Sequence, residues 1–160
     1  MGLILFIVAV ALAILLSLPG LVHTIAGAIR WKGKYRYVDN AFSKGAEAID
    51  VFGNMAFASF LNDWFLRKGG YHYGQGRETI SSATGKNWVV GKLTFWGLGL
   101  AGFLNLVDKD HCWKYIEGNR TGYDLIGKPD PVKWYCTASF MVVATVGLYG
   151  LGKLTFWICS

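Results

Sequence analysis

Seventeen consecutive residues without a charge, "GLILFIVAVALAILLSL" at 2–18, stand near the start of this chain, and after Pro19-Gly20 the apolar character resumes over 21–29. A helix over 2–29 would be about 42 Å long at 1.5 Å per residue, longer than the ~30 Å hydrocarbon core of a bilayer. Pro19 is expected to kink or end that helix, because its ring removes a backbone donor and clashes with the preceding turn. A cleaved signal peptide is the rival reading. No basic residue precedes the run and no convincing A-x-A site follows it, which favours a retained anchor over 1–29.

Two further segments repeat the pattern. Residues 134–152 carry no charge between Lys133 and Lys153, with Trp134, Tyr135 and Tyr149 near the ends, where aromatic rings and lysines sit at membrane interfaces. Residues 88–107 carry only Lys92, and glycines at 91, 97, 99 and 102 permit close helix approach. Charged residues make up 16% of the chain, against roughly 25% in ordinary soluble domains. The apolar residues are clustered rather than spread, so the expected class is an all-α polytopic membrane protein with two or three transmembrane helices and an amphipathic interfacial helix.

The connecting segments fit that plan. In the juxtamembrane stretch 30–45, Arg30, Lys32, Lys34 and Arg36 interleave with Trp31 and Tyr35. Such interleaving suits nucleic acid, but at a helix exit the rings lie at headgroup level and the cations meet anionic lipid, so the bilayer is the expected partner. Over 46–66, Ile49, Phe52, Ala56, Phe60 and Trp64 recur at helical steps opposite a stripe of Glu47, Asp50, Asn54 and Asn62, which reads as one amphipathic helix in the interface or packed on another helix. Glycine density makes 69–76 a loop, and 77–86 is polar, with two helix-capping or turn-favouring serines and no periodicity. Residues 119–132 read as a loop, and 133–160 as the C-terminal transmembrane helix and tail. The hexapeptide "GKLTFW" occurs at both 91–96 and 152–157, without matching flanks. If three segments cross, nine basic against five acidic residues over 30–86 place 30–87 in the cytoplasm; 108–132 faces away, with the N-terminus outside and the tail inside.

Asp50 and Asn54 on one helix, Gly69-Gly70, Glu78-Thr79-Ile80-Ser81, then Asp110-His111-Cys112 followed by Tyr115 and Glu117, form an ordered set. The set resembles small proteins encoded by tailed bacteriophages and prophages, with a D-x-x-x-N helix, G-G, E-T-I-S and D-H-C…Y-x-E in that order. The resemblance covers 46–118, the motif-bearing helical core, and implies a phage origin and a set of positions rather than a reaction. This chain departs from the pattern by inserting "YHYGQGR" and by carrying hydrophobic segments on both sides. The resemblance also implies a short helix within 88–107, in-plane or re-entrant, whereas hydropathy favours a crossing; a crossing would separate Asp50 and Glu78 from Cys112.

Chemistry is sparse. Cys112, His111 and Asp50 are the candidate catalytic residues, since a thiol becomes a nucleophile beside a base or a positive charge. Adjacency argues against a direct Cys112–His111 pair, because neighbours on a helix point about 100° apart; His111 or His72 could still reach Cys112 through the fold. The bland alternative has Asp110 capping a helix at His111 with Cys112 buried, and Asp50 and Asn54 as an interhelical hydrogen-bond pair. Thr79 and Ser81 lack a visible base and read as cap or turn residues. No metal-ligand spacing and no cofactor fingerprint occurs, so neither metal nor cofactor is expected. The functional expectation is a phage-type membrane protein of the bacterial (host) inner membrane that alters the envelope without catalysis. A Cys- or metal-dependent membrane enzyme and a membrane adaptor for a cytoplasmic partner are the alternatives. Self-association or a second membrane protein is a further possible contact.

Overall fold

Among the described residues eight helices follow in chain order: α1 Gly2–Arg30, α2 Tyr35–Ala56, α3 Ala58–Phe65, α4 Ile80–Val89, α5 Phe95–Val107, α6 His111–Lys114, α7 Arg120–Ile126 and α8 Trp134–Cys159. They come from a computed structural model that describes the chain apart from residues 1, 31–34, 119 and 160, and apart from the side chains of 3, 5, 28, 35–37, 120 and 152–159. Trp31, Lys32 and Lys34 therefore lie outside the described residues, as do the side chains of Tyr35, Arg36 and Lys153. Among the described residues there is no strand, only an isolated bridge between Leu66 and Leu93. The chain is all-helical, and it divides into two units, Met1–Ala48 and Ile49–Ser160.

In the first unit α1 runs through Pro19 and ends eleven residues later, so the expected stop at the proline does not occur. Its described residues are exposed apart from half-buried Thr24 and Gly27, with Ile14, Leu15 and Leu18 exposed by about two thirds. The stretch Phe6–Gly27 is long and apolar enough to cross a membrane.

The second unit is built around α4. α5 and α6 pack on it and on each other, α7 touches it, and α3 and α8 pack on α5. The single amphipathic helix expected over 46–66 is two helices meeting at Phe57 (φ −107°, ψ 14°). Hydrogen bonds from Phe57 N to Gly53 O and from Leu61 N to Phe57 O carry the backbone across the break. The amphipathicity is turned around relative to a protein in water. Asn54 is fully buried and Asp50 and Asn62 half-buried, while Ile49, Phe52, Phe60 and Trp64 are each about half exposed or more.

Three expectations are corrected here. The segment 77–86, read as polar and without periodicity, contributes most of α4, and all residues from Glu78 to Trp88 except Ile80 are buried. Sequence patterning missed it because the face it presents to the core is polar. The segment 88–107 is not one helix: α4 ends at Val89, a turn and the Leu93 bridge follow, and α5 has 13 residues. That is about 20 Å, too short to cross a ~30 Å hydrocarbon core. Residues 119–132, read as a loop, contain α7. The repeated "GKLTFW" likewise has no common structure, since 91–96 forms a turn, bridge and helix start while 152–157 lies inside α8. Context, not local sequence, decides its conformation.

α5 lies against the start of α8 through glycines. A Cβ at Gly99 would stand 2.6 Å from Phe140 Cβ and 2.8 Å from Cys136 O, and one at Gly102 would collide with Thr137 Oγ1. Cys136 and Thr137 are buried in that seam, whereas every described residue of α8 from Met141 to Leu151 is exposed. Trp134–Leu151 is the second stretch long and apolar enough to cross a membrane. Edge and tilted ring contacts of 5.6–6.2 Å join Phe60, Phe65, Phe140 and Phe103, linking α3, α8 and α5.

Candidate functional site

A helix whose N-terminus is buried must find partners for its first four N–H groups. At α4 all four are satisfied. Thr79 N donates to Glu117 Oε1 (3.4 Å), Ile80 N and Ser81 N to Asp50 Oδ1 and Oδ2 (3.0 and 3.4 Å), and Ser82 N to Thr79 Oγ1 (3.1 Å). Thr79 is thus the N-cap, in the cap role expected for it. Asp50, thirty residues away, supplies a carboxylate where the helix dipole favours negative charge. Asn54, one turn beyond Asp50, donates Nδ2 to Glu78 O (2.7 Å) and accepts from Gly74 N (3.1 Å), tying the glycine-rich loop to the same point.

Behind the cap lies a buried ion pair. Lys86 Nζ is 2.6 Å from Glu78 Oε1, Ser82 Oγ donates to the same oxygen, and the ammonium stands 4.3 Å from the centre of the Tyr71 ring. Burial pulls the Lys86 pKa down, but the Glu78 contact outweighs it and the net shift is upward. Glu117 closes the cluster: its N donates to Ser82 Oγ (2.8 Å) and its carboxylate accepts from Thr79 Oγ1 (3.0 Å). Further along α4, Asn87 bonds both backbone groups of Tyr71, and Thr84 Oγ1 meets the Tyr73 hydroxyl at 2.8 Å. Burial raises the pKa of that phenol.

The second motif half docks on the first. Gly85 allows it, since any Cβ there would collide with Cys112 O. Cys112 is fully buried, and burial, with the nearby Asp50 charge, pushes its thiol up to about 12. A thiol so placed supplies no thiolate at neutral pH, which is the condition for nucleophilic work. His111 points elsewhere: its Nε2 lies 3.1 Å from Ser81 Oγ, so the base not visible for Ser81 in the sequence is present in space. The Ser81 hydroxyl, however, has one proton and a carboxylate 2.7 Å away in Asp50. Charge-assisted bonds are the stronger ones, so Ser81 donates to Asp50 and accepts from His111. A nucleophilic serine needs the opposite polarity. His111 Nδ1 is buried without a hydrogen bond; its nearest anion, Asp108 Oδ2, is at 3.5 Å, an ion-pair distance rather than a hydrogen bond. The Lys114 contact holds Asp108 below the usual carboxylate range.

Asp110 occupies the N-cap position of α6, but in the left-handed region (φ 64°) and with no side-chain cap bond; its carboxylate pairs instead with Lys128 at 2.7 Å. The expected cap there is replaced by an ion pair. His72 is exposed in the loop near Asn62, Asp63 and Arg67, away from Cys112. Among the described residues no group of three or more His, Cys, Asp or Glu could hold a metal.

The structure therefore gathers Asp50, Asn54, Glu78, Thr79, Ser81, His111, Cys112 and Glu117 around one helix, and leaves Asp110 beside it. Arg30, Lys133 and Trp134 lie exposed at the ends of α1 and α8. The sequence reading omitted Ser82, Lys86, Thr84 and Asn87, and placed Asn62 only in a polar stripe. One signal was present: Glu78, Ser82 and Lys86 recur every four residues, a helical face drawn in polar rather than apolar residues. Set against family models, curated proteins and solved structures, the chain has no match.

Proposed function

We propose that this is a small phage-type integral membrane protein that acts on the envelope of a bacterial host without catalysis, in lysis control or exclusion of other phages. The observation that carries the reading is the pairing of two exposed apolar helices, α1 and α8, with a polar cluster whose hydrogen-bonding groups are consumed in holding α4. Such a cluster is read as a clamp, in which Ser81 gives its proton to Asp50 and Cys112 is buried as a small apolar side chain. The motif order supports phage origin by resemblance.

The topology proposed has two crossings. With α5 too short to cross, α1 and α8 are the crossings, and everything between them lies on one side. Residues 30–45 and 118–133, next to the two crossings, carry eight Lys and Arg against three acids, and 153–160 carries Lys153 alone, so that side is the cytoplasm and both termini face out. This replaces the three-span orientation, and it lets Asp50, Glu78 and Cys112 share a compartment. Expression in a bacterial host is expected to lower membrane potential or phage plating. Good expression with neither changed removes the envelope reading.

The Ser81–His111 contact favours a second reading, a serine-dependent hydrolase. It requires that an acyl-serine probe label Ser81 in the folded protein; absence of labelling counts against it.

A further inference from the structure

We infer that the cavity at the base of α8 is a binding site for one anionic phospholipid with a phosphoglycerol headgroup, an inference that rests on the membrane reading of α8. The cavity has a volume of about 750 Å³, within the range of small-molecule sites, and opens between α5, the first turns of α8 and the strap over 128–132. Its wall is apolar: Leu106, Val132, Ala138 and Met141 line it. Met141 is where α8 leaves the core and becomes exposed, so the wall continues onto the apolar surface of a candidate span. An acyl chain leaving the cavity along α8 stays in hydrocarbon.

The other end is polar and net positive. Lys109 and Lys128 line it with one acid, Asp110, which holds Lys128 at 2.7 Å and leaves Lys109 exposed. Beyond the strap a second cavity, of about 660 Å³, adds Arg67 and Lys133 against Asp130. A phosphate at the mouth is favoured by these cations. Asn105 also lines the first cavity, and its Oδ1 is buried with no hydrogen-bond partner. An unpaired buried acceptor is costly, and a headgroup hydroxyl is a donor of the right kind. Phosphate, hydroxyl and acyl chain together describe phosphatidylglycerol.

The test uses the full chain in detergent, delipidated and offered phosphatidylglycerol or phosphatidylcholine, with bound lipid counted by native mass spectrometry. One phosphatidylglycerol per chain is expected, retained at least about tenfold better than phosphatidylcholine. Lys109→Gln with Lys128→Gln is expected to remove most of that preference, by about tenfold for two surface cations. Ala138→Phe, which fills the cavity and changes no charge, is expected to reduce retention of both lipids. Equal retention of the two lipids overturns the inference, as does wild-type retention in the lysine variant or displacement by soluble glycerol phosphate. Carbonate extraction of membranes separates the two levels: a protein released by carbonate sinks the membrane reading itself, whereas an integral protein without lipid preference sinks only this site.

Discussion

α4 and α8 are opposites in a revealing way. α4 has Ser, Ser, Thr, Lys and Asn among its ten residues and is almost wholly buried, whereas α8 has an apolar run from Met141 to Leu151 and is wholly exposed there. In water both choices are expensive: apolar surface costs roughly 25 cal/mol per Å² left exposed, and each buried polar group without a partner costs about 1–3 kcal/mol. They become reasonable together only if α8 has hydrocarbon as its solvent and α4 has every polar group answered. The first condition concerns the surroundings, the second the sequence, and each can be broken separately.

The largest effect is expected inside. Glu78→Ala leaves Lys86 charged and unpaired in the core, and removing one member of a buried pair costs about 3–5 kcal/mol. Unfolding in detergent, followed by circular dichroism, is expected to show that loss with α8 untouched. A change below about 1 kcal/mol would mean the pair is wet and the core less closed than described.

Next comes the outside. Val143→Asp places a charge at the middle of Trp134–Leu151, the stretch of α8 long and apolar enough to cross a membrane, and insertion of Asp at a helix centre costs about 2.5–3.5 kcal/mol. The membrane-integrated fraction is expected to fall sharply while the core unfolds as before. If α8 stands in water instead, the same change makes the protein more soluble and costs nothing.

These two helices also show what could be read from the residues. α1 and α8 were legible because hydrophobicity and length are local properties, and no partner is needed to recognise seventeen uncharged residues in a row. α4 was hidden because its helicity depends on partners distant in sequence: Asp50 caps it from 30 residues upstream and Glu117 from 38 residues downstream of Thr79. The short α5 was overread for the reverse reason. Its apolar run borrows Trp88 and Val89 from the end of α4, and only the Leu66–Leu93 bridge reveals the break. Within the candidate site, the residues brought together around α4 were named from their order along the chain. The 100° step between helix neighbours already set Cys112 and His111 apart, but nothing in the sequence showed that His111 would face Ser81.

A smaller effect tests how dry the core is. The Cys112 thiol sits at about 12 in the fold against an ordinary 9.0. As pH rises above 9 the unfolded chain releases that proton first, so Cys112 stabilises the fold fully below 9 and loses its contribution between about 9 and 12, at ~1.4 kcal/mol per pH unit. The difference in unfolding between wild type and Cys112→Ala is expected to follow that slope and to be flat below pH 9. In a chain carrying Cys136→Ser and Cys159→Ser, maleimide is expected to label Cys112 only after denaturation.

The smallest change sharpens the contrast most, because it separates a clamp from a catalyst. Ser81→Ala removes one hydroxyl that bridges Asp50 and His111, and leaves the two backbone bonds to Asp50 in place. The hydrogen-bond loss is worth about 1 kcal/mol, so the protein is expected to fold and to reach the membrane in nearly normal amounts. If the polar cluster serves only to hold α4, the effect of expression on membrane potential survives in proportion to protein level. A phenotype abolished at unchanged protein level would make Ser81 a reacting group. The buried cluster would then be a closed active site, opened by motion of α6 away from α4, and the likeness between its wiring and a structural cap would be incidental.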